Sequence, residues 1–210
     1  MEEANQVLAY AQADFDIPHS EFIQRLKVVV NKADFNDTAL DLGCGPGDIS
    51  RRFAESYPDC LIHALDGSQA MLEAGRQFVP PHLQKRIHFI LGRLPDVILP
   101  QSDYAMIFSN SLLHHLPDPL TLWQFIKKYA RSGAYVVIMD LMRPDSIAAA
   151  QAMVDFYAGH ESQLLQRDFY HSLLAAFTIE EVRQQLKKTE LALTVEQVSN
   201  RHVFISGVMP

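Results

Sequence analysis

Ala39-Leu40-Asp41-Leu42-Gly43-Cys44-Gly45-Pro46-Gly47-Asp48 is the stretch whose reading decides the fold. Its first half, apolar around Asp41, has the make-up of a buried strand. Its second half sets Gly43, Gly45 and Gly47 ahead of an amphipathic run. Glycine lacks a Cβ, so it takes backbone angles other residues avoid and lets a ligand touch the main chain. A strand, a glycine turn and a helix N-terminus, in that order, build the nucleotide sites of parallel α/β sheets. A turn without a ligand can use the same residues, but three glycines in five positions favour the binding reading.

Outward from this turn, strand and helix patterns alternate, which is the signature of a parallel sheet covered on both faces. Strands are expected at Thr38–Leu42, Cys60–Leu65, Ile87–Leu91, Tyr104–Phe108 and Ala134–Met139. Helices are expected from Asp48 to Tyr57, from Gln69 to Phe78 behind a Ser68 cap, and after Asp118-Pro119. Upstream, Phe22, Leu26, Val29 and Val30 recur at helical spacing from Ser20 to Lys32. Downstream, helical patterns at Ser146–Tyr157 and Gln163–Ala176 make a connection too long for an ordinary loop. Thr178 and Glu181 then form a capping box, with Phe177 and Val182 placed as a hydrophobic staple. Leu191–Val198 and His202–Val208, turning at Asn200-Arg201, read as a final antiparallel hairpin. The expected organisation is a single domain: an N-terminal helical cap (1–34), a core (35–142), a helical lid insertion (143–177), and a last helix with the hairpin (178–210).

Composition narrows the function classes. With 48% hydrophobic and 20% charged residues the chain builds a real core and is not disordered. No apolar run reaches the roughly 20 residues of a membrane span, and the Met-Glu-Glu-Ala-Asn start is unlike a basic leader peptide. Cys44 and Cys60 stand alone without CxxC spacing, which suits a reducing, cytoplasmic location. A net charge of −7 disfavours a nucleic-acid partner. The chemistry left in view is that of a small-molecule enzyme, with a homodimer left open.

The turn is not a dinucleotide fingerprint, because GxGxxG would need glycine where Asp48 stands. An acid there also weakens a phosphate-binding helix N-terminus. Asp41 and Asp48 instead suit a cationic ligand, and S-adenosylmethionine (SAM) carries an ammonium and a sulfonium but no phosphate. Asp66, about 20 residues beyond the glycines at the end of the second strand, is placed to accept ribose hydroxyls, with Gly67 beside it.

On these residues the chain resembles the class I SAM-dependent methyltransferases over about residues 35–208. Ala39–Asp48 is similar to that family's motif I, and Leu61–Leu65 with Asp66 to its second-strand acid motif. The resemblance implies a Rossmann-like, seven-stranded α/β sheet of order 3-2-1-4-5-7-6 with only strand seven antiparallel. It also implies that Gly92, Arg93 and Leu94 meet the adenine, and that the run from Ser109 to Leu112 reaches the reacting centre.

Acceptor-side residues follow from that placement. Asn110 can orient cofactor or acceptor through its amide, and His114 can deprotonate an acceptor. Either histidine of the His114-His115 pair can equally be structural. No metal is expected, since the pair lacks ligand spacing and Asp140 alone makes no acidic cluster. Tyr10 in the N-terminal segment, and Arg143 and Tyr170 in the lid, are the expected substrate contacts. No cysteine is placed for base methylation, and no Asn-Pro-Pro-aromatic run follows strand four. A small molecule is therefore the favoured acceptor. The competing readings are a non-catalytic SAM-binding scaffold, a nicotinamide-dependent oxidoreductase, and a tRNA or protein methyltransferase.

Overall fold

Residues 16–32 and 35–210 are described by the structure, a computed structural model. In chain order the elements are α1 (Asp16–Val30), β1 (Thr38–Leu42), α2 (Asp48–Ser56), β2 (Leu61–Asp66), α3 (Gln69–Phe78), β3 (Ile87–Leu91) and β4 (Tyr104–Asn110). They continue with a 3₁₀ turn (Leu113–His115), α4 (Leu120–Tyr129), β5 (Ala130–Leu141), α5 (Ile147–Ala158), α6 (Gln163–Ala175), α7 (Ile179–Thr189), β6 (Thr194–Gln197) and β7 (His202–Val208). The strands form one sheet of order β3-β2-β1-β4-β5-β7-β6, with β7 antiparallel to both neighbours. This is the expected topology.

The strands are apolar on both faces because both faces are covered. Ala39, Ile62, Met106, Phe108 and Val137 pack under Phe22, Leu26, Phe53 and Leu72 of α1–α3. Their neighbours Leu40, Leu42, Ile107, Val136 and Ile138 pack under Trp123, Ile126, Val182 and Leu186 of α4 and α7. Phe53 stacks on Phe108 at 4.8 Å between centroids, fixing α2 over the centre of the sheet. Across the other face, the Trp123 indole N–H donates to the Gln185 side-chain oxygen at 2.9 Å, so the two helices share a satisfied buried polar pair. The helices α5 and α6 pack on one another around Val154 and Leu173, in a small cluster of their own that includes Leu141.

Several ends differ from the sequence reading, each for a local reason. Helix α1 starts at Asp16, four residues earlier, because Pro18 falls in the first turn, where no N–H is needed. The ladder of β5 reaches back to Ala130 across an irregularity opposite Tyr104 and Met106. Strand β6 starts only at Thr194, since Glu190 takes a left-handed C-cap and Leu191 turns into the core, its N–H donating to the Leu186 carbonyl. The Thr178–Glu181 capping box forms reciprocally, and Phe177 and Val182 meet in the same cluster. Among the described residues no helix is long and apolar enough to cross a membrane.

Candidate active site

The carboxyl ends of β1, β2, β4 and β5 converge at one edge, and the glycine turn lies there between β1 and α2. Gly43, Gly45 and Gly47 all have positive φ. A Cβ at Gly43 would meet Leu112 at 3.0 Å, and one at Gly47 would meet Phe89 at 2.9 Å, whereas a Cβ at Gly45 would project into open space. Two of the glycines are therefore needed for packing. The third leaves room on the side where a ligand would lie.

Hydrogen bonding within the turn decides what kind of ligand that is. The N–H groups of Gly43 and Cys44 donate to the Leu65 carbonyl, that of Gly47 to the Cys44 carbonyl, and that of Gly45 to Asp66 Oδ2. Pro46 has no N–H. No amide from 43 to 47 remains for a phosphate, so the turn offers carbonyls and carboxylates, which suit a cation. Asp66 uses its other oxygen to accept from the Ser68 N–H at 2.8 Å. Each carboxylate oxygen of Asp66 keeps accepting capacity for a hydroxyl. Gly67 backs onto the Arg93 side chain, whose Nε donates to the Gly67 carbonyl, and Gly92 lies against Val97. Leu94 packs with the apolar cluster on the α4 face.

Asp41 is fully buried and accepts from Ser50 Oγ at 2.5 Å. Burial pushes its carboxyl up to about 7; the Ser50 hydrogen bond opposes this and the nearby Asp66 charge adds to it. Asp48 corrects the sequence argument. It does not offer a free charge to a cation, because it accepts from Arg51 at 2.7 Å and Arg52 at 2.6 Å and pairs with His19 at 2.7 Å. Although burial works against it, these partners hold its carboxyl well below the usual range. What tells this turn from a phosphate cradle is its used-up amides, not Asp48.

At the end of β4, the Asn110 side chain has no hydrogen-bond partner among the described residues and is half-buried. Ser111 then takes a left-handed conformation (φ 61), its N–H held by the Met139 carbonyl, and turns the chain into the 3₁₀ segment. His114 Nδ1 lies 2.5 Å from Asp140 Oδ1, with both side chains nearly inaccessible. The Asp140 carboxylate also accepts from the N–H groups of Leu113 and Leu141. With that carboxylate as acceptor, Nδ1 of His114 is the donor, and the neutral tautomer compatible with this bond has its lone pair on Nε2. His115 lies beside His114 at 4.0 Å, and burial pushes it down to about 4, with His114 adding to the shift.

Of the expected lid contacts, two lie among the described residues. Arg143 donates to Glu181 at the start of α7, and Tyr170 packs partly buried against the α5–α6 cluster. Tyr10 lies outside the described residues. Sequence reasoning missed Asp140 as the partner of His114, and the pairing of Tyr157 with Arg201 at the same sheet edge. Their pairing crosses 26 and 44 residues of chain, and no local pattern reports such distances.

Residues 39–133 match a family model described as a methyltransferase domain. Among curated proteins, a trans-aconitate 2-methyltransferase of Methylobacterium radiotolerans is 33% identical over 110 residues, covering 52% of this chain and 39% of that protein. One from an Azoarcus species is 30% identical over 101 residues, covering 48% and 38%. The chain thus spans about two fifths of the length of the curated relatives it matches. Among solved structures, a SAM-dependent methyltransferase from Aquifex aeolicus superposes with a TM-score of 0.72 at 15% identity, covering all of both chains. Phosphoethanolamine N-methyltransferase 2 of Haemonchus contortus, in complex with S-adenosyl-L-methionine, gives 0.68 at 16%, covering 91% of this chain and 52% of that one. With the sheet order, the glycine turn and Asp66, these matches give the chain a methyltransferase-domain likeness over residues 39–133 and the fold of SAM-dependent methyltransferases.

Proposed function

We propose that the chain transfers a methyl group from SAM to a small-molecule acceptor. The observation that carries this reading is the turn from 43 to 47 with no amide left for phosphate, backed by the open side of Gly45 and the accepting oxygens of Asp66. Bound SAM supplies an electrophilic methyl on a positively charged sulfur. The protein's part is then alignment, exclusion of water and, for a protonated acceptor, removal of one proton.

In this reading the glycine turn and Asp66 hold the cofactor, with Asp41 the buried acid nearest its cationic end. Gly92, Arg93 and Leu94 border the adenine, as motif placement implies. Asn110 turns its unpartnered amide toward the reacting groups. His114, its Nδ1 proton held by Asp140, takes the acceptor's proton at Nε2. The same pairing stabilises the imidazolium that results. Helices α5 and α6 close over this edge. The trans-aconitate named for the relatives is one acceptor to try, but their match covers only part of each chain. The non-catalytic scaffold and the tRNA or protein acceptor have no comparable observation behind them. Two buried, unpaired cysteines fit a reducing cytoplasm.

Calorimetric titration with SAM tests the cofactor half. Asp66→Ala is expected to weaken binding about tenfold or more, the loss of one charge-assisted contact or more; undiminished affinity would remove the reading. Mass spectrometry of a metabolite extract incubated with the chain and deuteromethyl-SAM then identifies the acceptor by its label.

A further inference from the structure

The hairpin between β6 and β7 turns at the same sheet edge as Asn110 and Asp140, because β7 runs antiparallel to β5 and pairs His202 with Leu141. Ser199 Oγ accepts from the N–H groups of Arg201 and His202, at 3.2 and 3.0 Å, which stiffens the turn. The Arg201 carbonyl accepts from the Met142 N–H at 2.7 Å, tying this residue to the chain two positions beyond Asp140. The backbone of Arg201 is thus tied to the chain just beyond Asp140, the partner of His114.

Its side chain is equally placed. The guanidinium lies 3.5 Å over the centre of the Tyr157 ring, and the Tyr157 hydroxyl donates to Asn200 Oδ1 at 2.9 Å, so turn and platform hold each other. The Tyr157 hydroxyl is also a hydrogen-bond partner of this guanidinium, and the rest of the N–H edge of a group stacked by its face stays available for a planar partner. Among the described residues no carboxylate lies within ion-pair distance of Arg201, while Arg51, Arg52 and Arg143 are all paired with acids. Glu21 is close enough to act on it through space but is itself bonded to Arg25. Partial burial of this guanidinium works against its charge. The neighbouring buried His202 feels both Arg201 and Asp140, so the cation and the His114–Asp140 pair share one neighbourhood.

A half-buried cation without a counter-charge is costly, and a ligand that brings the charge removes the cost. We propose that Arg201, seated on Tyr157, binds a carboxylate of the methyl acceptor, so that the substrate class is a small organic acid. The inference rests on the reading of this edge as the acceptor side of a SAM site. A fork of two parallel N–H···O bonds would orient the acid as well as hold it.

The test is calorimetric titration of the full chain, loaded with S-adenosylhomocysteine, with benzoate, succinate, citrate and trans-aconitate, each against its amide. At least one acid is expected to bind and its amide to fail. Arg201→Met should weaken that acid about tenfold to a hundredfold, and Arg201→Lys, which keeps the charge but loses the fork, by less. Affinity for S-adenosylhomocysteine and the melting temperature should stay close to wild type in the lysine variant. Acids binding no better than their amides, or as tightly to Arg201→Met as to wild type, would overturn the proposal. So would acid binding lost only together with thermal stability and cofactor affinity, which is the mark of a packing role. If S-adenosylhomocysteine fails to bind the wild-type chain, it is the cofactor reading that has failed.

Discussion

Asp41 and Asp66 are both acids beside the glycine turn, yet their surroundings set them apart. Asp66 is partly exposed and accepts two main-chain N–H groups, whereas Asp41 is sealed in with one hydroxyl for a partner. The folded state therefore holds a proton on Asp41 that the unfolded chain releases at much lower pH. A raised carboxyl of this kind contributes stability that is present at low pH and is lost as pH rises through about 7. Asp41→Asn removes this loss, so its stability relative to wild type should climb between about pH 5 and about pH 8, as measured by urea denaturation across that range. His202 and His115 work in the opposite sense. Burial lowers both to about 4, so their contribution is lost as pH falls from the ordinary histidine range. A flat difference between wild type and Asp41→Asn would show that Asp41 is ionised throughout.

At the scale of elements, α7 bears on two parts of the site at once. Its capping box fixes the N-terminus where the α5–α6 segment returns to the core, and Glu181 of that box also receives Arg143 from the end of β5. Thr178→Ala removes the side-chain acceptor for the Glu181 N–H, at a cost of about 1 kcal/mol. That corresponds to a melting temperature roughly 2–4 °C lower for a chain of this size. The box and the staple were legible beforehand because all their members lie within six residues. So were the glycine turn, the Ser68 cap and most strand limits, which rest on residues adjacent in sequence. Arg143 was not: Glu181 lies 38 residues away, and an exposed-looking arginine after a strand gives no sign of its partner. For the same reason Asp140 read as a lone acid and Arg201 as a turn residue. Asp48 misled in the other direction, since its acidic character was visible and the side chains that bond it, His19 of α1 and Arg51 and Arg52, were not.

The molecule as a whole is joined across its first helix. Asp16, His19 and Ser20 of α1 meet Asp48 and Arg52 of α2, each contact within 2.7 Å, directly behind the glycine turn. Asp48→Asn should loosen that join, seen as faster hydrogen exchange in residues 16–30 while β1, β4 and β5 keep their protection. Its affinity for SAM should fall less than that of Asp66→Ala, since Asp48 is already neutralised by its neighbours. Equal losses in the two variants would return Asp48 to the cofactor site.

The amides of the glycine turn have a consequence at this same scale. Nucleoside triphosphates and dinucleotides share SAM's adenosine, and every protein that recognises that half must reject the rest. Here the rejection is written mostly in main-chain bonds, those of Gly43, Cys44 and Gly47 to backbone carbonyls, and only the Gly45 N–H depends on a side chain, that of Asp66. An acceptor preference set by side chains, as proposed for Arg201, would be free to drift over generations while most of the discrimination against competing nucleotides stays built into the backbone.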